Sequence, residues 1–392
     1  MPFPKGKGRV SDFYWTPFRD GAQPGRDART WCPIARDAGI FRRVGFFQGI
    51  RAMTTPLLGL PLEELAFEME SIGEKPYRAK QLFHWFYLRY ETDFEKMTDL
   101  AKDLRSKLIA AYAPVLPKVE RITESRMDAS KKFLFRYEDG EPAEAVWMPH
   151  DDRITLCLST QTGCALGCAF CLTGKRPGRN LLPREMLGQF LHLARGHEAQ
   201  RVNIVFMGMG EPLLNLENLA ATLPFLYAGI SPRRITVSTA GILKGIEALG
   251  RVKPPPRLAL SLNAGTNATR HKLMPVHAYS MDDLMRAVEA YPRGARDRVT
   301  LEYVLIKGVT DTPGEIAALK ELLKSRRSWV KVNLIPFNPV PGMDFDEPSE
   351  ERVNAIGREL TREGFTVTVR RSLGRDIRAA CGQLAAGCTD IS

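Results

Sequence analysis

The sequence predicts an α/β protein: a partial (β/α)6 barrel preceded by a small N-terminal helical domain. Two observations carry this. From Arg153 onward six short runs rich in β-branched residues recur along the chain: RITLCLS, RVNIVFM, RRITVST, RLALSLN, RVTLEYVLI and WVKVNLIPF. Helical patterns such as REMLGQFLHLARGH and TPGEIAALKELLKSR lie between them. Strands that alternate with helices build βα units on a parallel sheet, and six units fall short of the eight that close a full barrel.

Taken in order, the chain divides into four segments. Residues 1–52 show neither helical nor strand period and contain no Glu; ten Lys or Arg against four Asp give them +6 of the chain's net +11. They are expected to be an unstructured extension, or an upstream start that the working protein does not need. The scattered Asp count against a transit peptide. Regular pattern begins at Met53. Over 53–115, LEELAFEMESIGEKPYRAKQLFHWFYLRY and LAKDLRSKLIAAY read as amphipathic helices with basic and aromatic residues interleaved. That suits an RNA-binding accessory domain, although most of the aromatics are expected to be core. Over 116–151, KKFLFRYEDGEPAEAVWMP reads as a hairpin turning near Asp139-Gly140. Residues 152–392 form the barrel core.

Cysteine usage narrows the chemistry. The chain has seven cysteines in 392 residues, an odd number, and is long enough to build a core without a disulfide framework. No run approaches the length of a membrane span. A cytoplasmic protein with reduced thiols is expected, and clustered thiols there point to metal or redox chemistry.

Thr155 to Gly174, TLCLSTQTGCALGCAFCLTG, places Cys157, Cys164, Cys168 and Cys171 within fifteen residues. Three of them keep the rhythm C-x3-C-x2-C. Structural zinc takes four protein ligands, so a zinc-stabilised RNA-binding module would have to borrow a distant residue such as His150 or His192. A four-iron cluster held by three thiolates leaves one iron open for a small chelating molecule. That is the arrangement of radical S-adenosylmethionine (SAM) enzymes, whose motif often has an aromatic residue before the last cysteine, here Phe170. Ligand-binding groups in such sheets gather at the carboxyl ends of the strands. GMGEP (208–212), Ser238, SLN (261–263) and FNP (337–339) all fall there.

Together, GEKPYRAKQLFHWFY, FEKMTDLAKDLR, TLCLSTQTGCALGCAFC, GMGEPLLN, RRITVSTAG, SLNA, NLIPFNP and RDIRAACGQL resemble the RlmN family of bacterial radical SAM adenine methyltransferases, in order from about Leu58. The resemblance implies a radical SAM barrel. It also implies methylation at carbon 2 of adenosine-2503 in 23S rRNA, and of adenosine-37 in tRNA. The sister Cfr family methylates carbon 8 of the same rRNA adenosine; it typically has alanine at Pro212 and lacks the N-terminal match. Asn263 departs from the histidine of many family members.

The residue roles that follow are those the resemblance implies. A [4Fe-4S] cluster sits on Cys164, Cys168 and Cys171. SAM contacts Gly210, Glu211, Ser238, Ser261, Leu262, Asn263 and Asn338. Carbon 2 of adenine is no nucleophile, so radical chemistry supplied by cofactors is needed. Cys381 takes a methyl from one SAM; a second yields a 5′-deoxyadenosyl radical that activates that methyl for addition to the base. Glu144 removes the ring proton. Cys157 then attacks the sulfur of Cys381, closing a disulfide and releasing the RNA. Further expectations are a low-potential electron donor such as flavodoxin, a monomer, and bystander roles for Cys32 and Cys388.

Overall fold

Each of the six apolar runs forms a strand, and burial on alternate residues explains why. The strands are β4 (Arg153–Cys157), β5 (Val202–Phe206), β6 (Ile235–Thr239), β7 (Arg257–Ser261), β8 (Val299–Leu305) and β9 (Val330–Pro336) in the computed structural model. The structure describes residues 56–112, 116–197, 200–275, 279–295, 297–340 and 342–386. Cys32, Cys388 and the expected extension over 1–52 lie outside the described residues. Leu156, Ile204, Val237, Leu301 and Val332 are wholly buried. Their neighbours Thr155, Asn203, Thr236, Thr300 and Asn333 line an internal cavity instead. The two-residue period thus divides each strand between a packed face and a hollow one.

β4 to β9 pair in parallel in sequence order. Helices supply the crossovers: α4 (Pro183–Ala194), α5 (Leu216–Tyr227), α6 (Leu243–Gly250), α7 (Asn267–Leu273) with α8 (Met281–Glu289), and α9 (Pro313–Leu323). Their starts follow capping rules. Thr312 Oγ1 accepts from the Glu315 N–H, and at α8 Ser280 and Asp283 form a reciprocal capping box.

The sheet is larger than six strands. α10 (Glu350–Arg362) leads to β10 (Val367–Val369), which pairs in parallel with β9. On the other side β3 (Pro142–His150) pairs antiparallel with β4, then β2 (Lys131–Arg136) with β3, and β1 (Lys118–Glu124) with β2. One ten-stranded sheet runs β1 to β10 in order and stays open. The β2–β3 hairpin turns at Asp139-Gly140, where Gly140 has φ +82°, a region that favours glycine.

Three helices precede the sheet: α1 (Leu62–Ser71), α2 (Arg78–Tyr87) and α3 (Lys102–Ala111). Leu65, Met69, Leu82, Phe86, Leu104 and Leu108 are their buried stripe. Tyr87 meets Phe225 of α5 with ring centroids 5.0 Å apart, and its hydroxyl accepts from the Gly59 N–H at 2.9 Å. Most aromatics here are therefore core, as their spacing suggests. Phe67 and Tyr77 are the exceptions, at 68 % and 50 % exposure. Among the described residues no helix is long and apolar enough to cross a membrane.

Candidate active site

The cysteine loop leaves the carboxyl end of β4 and is shaped by close backbone contact. Cys164 N–H donates to the Arg176 carbonyl at 2.9 Å, and Thr162 N–H to that of Arg179 at 3.0 Å. A Cβ on Gly163 would stand 2.4 Å from the Arg176 carbonyl oxygen. Gly167, at φ +66°, turns the chain between Cys164 and Cys168. Arg179 anchors the far end, donating to both Glu185 oxygens at 2.8 Å. Gly163→Ala must therefore move backbone, and we expect it to cost about 1–3 kcal/mol. The check is a lowered thermal midpoint together with reduced iron loading. A protein with unchanged midpoint and full iron would show that the loop tolerates the shift.

Burial pushes the Cys164 thiol up to about 11, and it raises Cys168 and Cys171 as well. Bound iron reverses that balance by holding thiolates outright. Among the described residues no three His, Cys, Asp or Glu side chains are close enough to hold one metal ion. The thiolates of a four-iron cube each bind a different iron, and Cys164, Cys168 and Cys171 all border one cavity. Arg270, buried and missed by sequence reasoning, donates to the Ala240 and Ser261 carbonyls beside this loop. Its positive charge acts on Cys168.

A cavity of about 160 Å³ is bordered by Cys164, Cys168, Cys171, Gly210, Glu211, Ser238, Ser261, Asn263 and Cys381. Gly210 has φ +97°, and a Cβ there would meet Gln161 at 2.5 Å. Gln161 in turn accepts from the Glu211 N–H at 2.8 Å. The Glu211 carboxylate accepts from the Leu213 and Ala240 N–H groups at 3.0 and 2.7 Å. Among the described residues it makes no ion pair, and burial pushes its proton affinity up. A buried carboxylate without a cation fits the ammonium of a bound amino acid. Ser238 and Ser261 hydroxyls lie 3.4 Å apart. Asn263, at φ +58°, accepts from the Val304 N–H at 3.1 Å and so spans the turn after β7.

Leu262, Asn338 and Glu144 are placed differently from the rest. Leu262 is wholly buried and lines neither cavity. Asn338 donates its amide to the Cys381 carbonyl at 3.1 Å, so it holds the segment rather than the cavity. Glu144 is 2 % exposed and also lies outside both linings.

A second cavity, of about 700 Å³, occupies the hollow face of the sheet. Arg153, Arg234, Arg257 and Lys331 border it at the amino ends of the strands. Cys157, Cys171 and Cys381 border it at the carboxyl ends. The two cavities share a wall that includes Cys171, Cys381, Arg370 and Glu302. Cys157 faces the larger one alone. Burial pushes its thiol up to about 12, with Cys381 adding to the effect and Arg370 opposing it. Arg370 is held toward its charged form chiefly by Cys381. The five described cysteines are all free.

Comparison with known proteins follows this geometry. Residues 55–113 match the family described as ribosomal RNA large subunit methyltransferase N-terminal domain, and residues 158–320 match the radical SAM superfamily. The chain is 45 % identical to a dual-specificity RNA methyltransferase RlmN of Solidesulfovibrio magneticus, over 85 % of this chain and 97 % of that one. It is 43 % identical to the protein of that name from Geobacter sulfurreducens, over 83 % and 91 %. A crystal structure of a radical SAM methyltransferase from Sphaerobacter thermophilus superposes with TM-score 0.77 at 40 % identity, covering 86 % of this chain and all of that one.

Proposed function

Because the chain belongs to the RlmN family of radical SAM RNA methyltransferases, we propose that it methylates carbon 2 of adenosine-2503 in 23S rRNA, and of adenosine-37 in tRNA, with Cys381 as the methyl carrier. One observation carries the reading: Cys381 lies on the wall between the two cavities. A carrier must meet the methyl donor on one side and the acceptor base on the other. Cys157 faces the acceptor side, where a thiol that ends the reaction has to act. When bound, the cluster on Cys164, Cys168 and Cys171, together with SAM, supplies the radical that opens the methyl C–H bond.

The chain's own groups do the rest. Glu211, Ser238, Ser261 and Asn263 orient SAM, and Asn338 fixes the carbonyl of the carrier. Two SAM molecules serve each turnover, one as methyl source and one as radical source. A low-potential reductant such as flavodoxin supplies electrons. The adenine is splayed out of its RNA, as chemistry on a base atom requires, and is received by the larger cavity. Tyr77, with the Arg78 guanidinium 4.8 Å from its ring centre, offers a stacking group on the helical segment. Mass spectrometry of the modified nucleoside tests the reading. The expected product is 2-methyladenosine, and 8-methyladenosine would reassign the chain to carbon 8 chemistry.

The basic rim predicts how RNA is drawn in. Arg234 and Lys331 make no ion pair among the described residues, so both are available for phosphate. Replacing both by alanine is expected to weaken RNA binding about tenfold and to reduce the salt slope by about 2. An unchanged slope would place the RNA elsewhere.

A further inference from the structure

The Glu144 carboxylate, on β3, is fully engaged. Its Oε2 accepts from the N–H groups of Ala385 and Ala386 at 2.9 and 3.0 Å. Its Oε1 lies 3.1 Å from Lys132 Nζ on β2. The same ammonium donates to the Arg378 carbonyl at 3.1 Å. These contacts fall on both flanks of Cys381, one before it and two after. Lys132 and Glu144 are diagonal partners across β2 and β3, where Leu134 stands opposite Glu144. Among the described contacts Lys132 is the charged group that faces Glu144; Met209 and Ser159 touch only its backbone. A carboxylate so engaged does not border the larger cavity as it stands. Leu384, next to Ala385, lines the larger cavity, so a shift of that residue would uncover it.

Resting on the methyltransferase reading, we infer that Lys132 and Glu144 are a clasp that positions Cys381 and lets go when Glu144 takes the ring proton. In that transfer Oε2 gains the proton, the ring carbon loses it, and the C–H electron pair stays in the ring. The ion pair with Lys132 then ends. The bonds from Ala385 and Ala386 lose their charge assistance, which roughly doubles the strength of such bonds. Cys381 becomes free to turn toward Cys157. The S–S bond forms as the S–CH2 bond breaks; its electron pair stays on the methylene carbon, which takes a proton to become the methyl group. The adduct's odd electron would return to the [4Fe-4S] cluster that gave one up to make the radical. RNA release thus waits for the ring to lose its proton. Lys132, which lines neither cavity, is a positioning residue in this scheme.

The clasp can be tested without RNA. Protein with its cluster intact is treated with diamide, a two-electron thiol oxidant that takes up both hydrogens as Cys157 and Cys381 join. The linked peptide is followed by mass spectrometry. Glu144→Gln, a permanent stand-in for the protonated acid, is expected to form the disulfide about tenfold faster than the natural protein. Lys132→Met is expected to be faster as well, and Lys132→Arg to return the rate to its original value. Equal rates for the natural protein, Glu144→Gln and Lys132→Met would overturn the clasp. The reading beneath it is tested separately, by whether Cys157→Ala traps RNA. Trapped RNA with unchanged disulfide rates removes the clasp alone; absence of trapped RNA removes the reading on which it rests.

Discussion

Cys164→Ala, Cys168→Ala and Cys171→Ala should each abolish methylation, a loss larger than about 10³-fold, because the cofactor carries a step that side chains cannot perform. The loop offers three thiols, and the remaining iron is reserved for SAM, so there is no spare ligand. Cys157, the nearest other thiol in sequence, ends β4 and faces the other cavity, so it cannot substitute. The protein should remain folded, because the loop's backbone bonds to Arg176 and Arg179 do not involve sulfur. Iron and sulfide content, colour, and reductive SAM cleavage are the measurements. A single variant that kept full iron and SAM cleavage would remove that residue from the ligand set.

Cys157→Ala and Cys381→Ala should both lose product, yet fail at different steps. If Cys157 only packed β4, its loss would cost some stability and little else, since a buried cysteine behaves as a small hydrophobe. If it ends the reaction, Cys157→Ala should stop after carbon–carbon bond formation and carry RNA through a bond that survives denaturant. Cys381→Ala lacks the carrier and should trap nothing. Burial pushes the Cys157 thiol up to about 12, so at neutral pH it is held mostly as the thiol. Denaturing electrophoresis of protein recovered from cells, with and without ribonuclease, distinguishes the outcomes. Normal methylated product with no ribonuclease-sensitive band would return Cys157 to the core.

Much of this arrangement is legible in the chain, for reasons that can be assigned residue by residue. The six parallel strands announce themselves because one face of each is buried and apolar while the other lines a polar hollow, which leaves an alternating apolar run. β1 does not: KVERITE is exposed along nearly its whole length, so burial stamps no alternation on it. β10 is three residues long, too short to show a period. The cysteine loop is legible because cluster binding restricts both residue type and spacing. Arg370, Arg270 and Lys132 are not, because a buried cation and a solvated one look alike until neighbours far away in sequence are brought beside them. Glu144 shows the same gap from the other side. The family resemblance alone suggests a base there, whereas only the fold reveals the three donors that occupy it.

The open sheet has a consequence for how the protein survives at high concentration. A ten-stranded sheet with two free margins presents unpaired backbone donors and acceptors, the template on which aggregates grow. Neither margin here is inviting. β1 exposes Lys118, Glu120, Arg121 and Glu124, so a second copy laid against it would have to bury charge. β10 ends after three residues and runs at once into Arg370 and Arg371. The open sheet thus ends on strands ill suited to recruiting another chain.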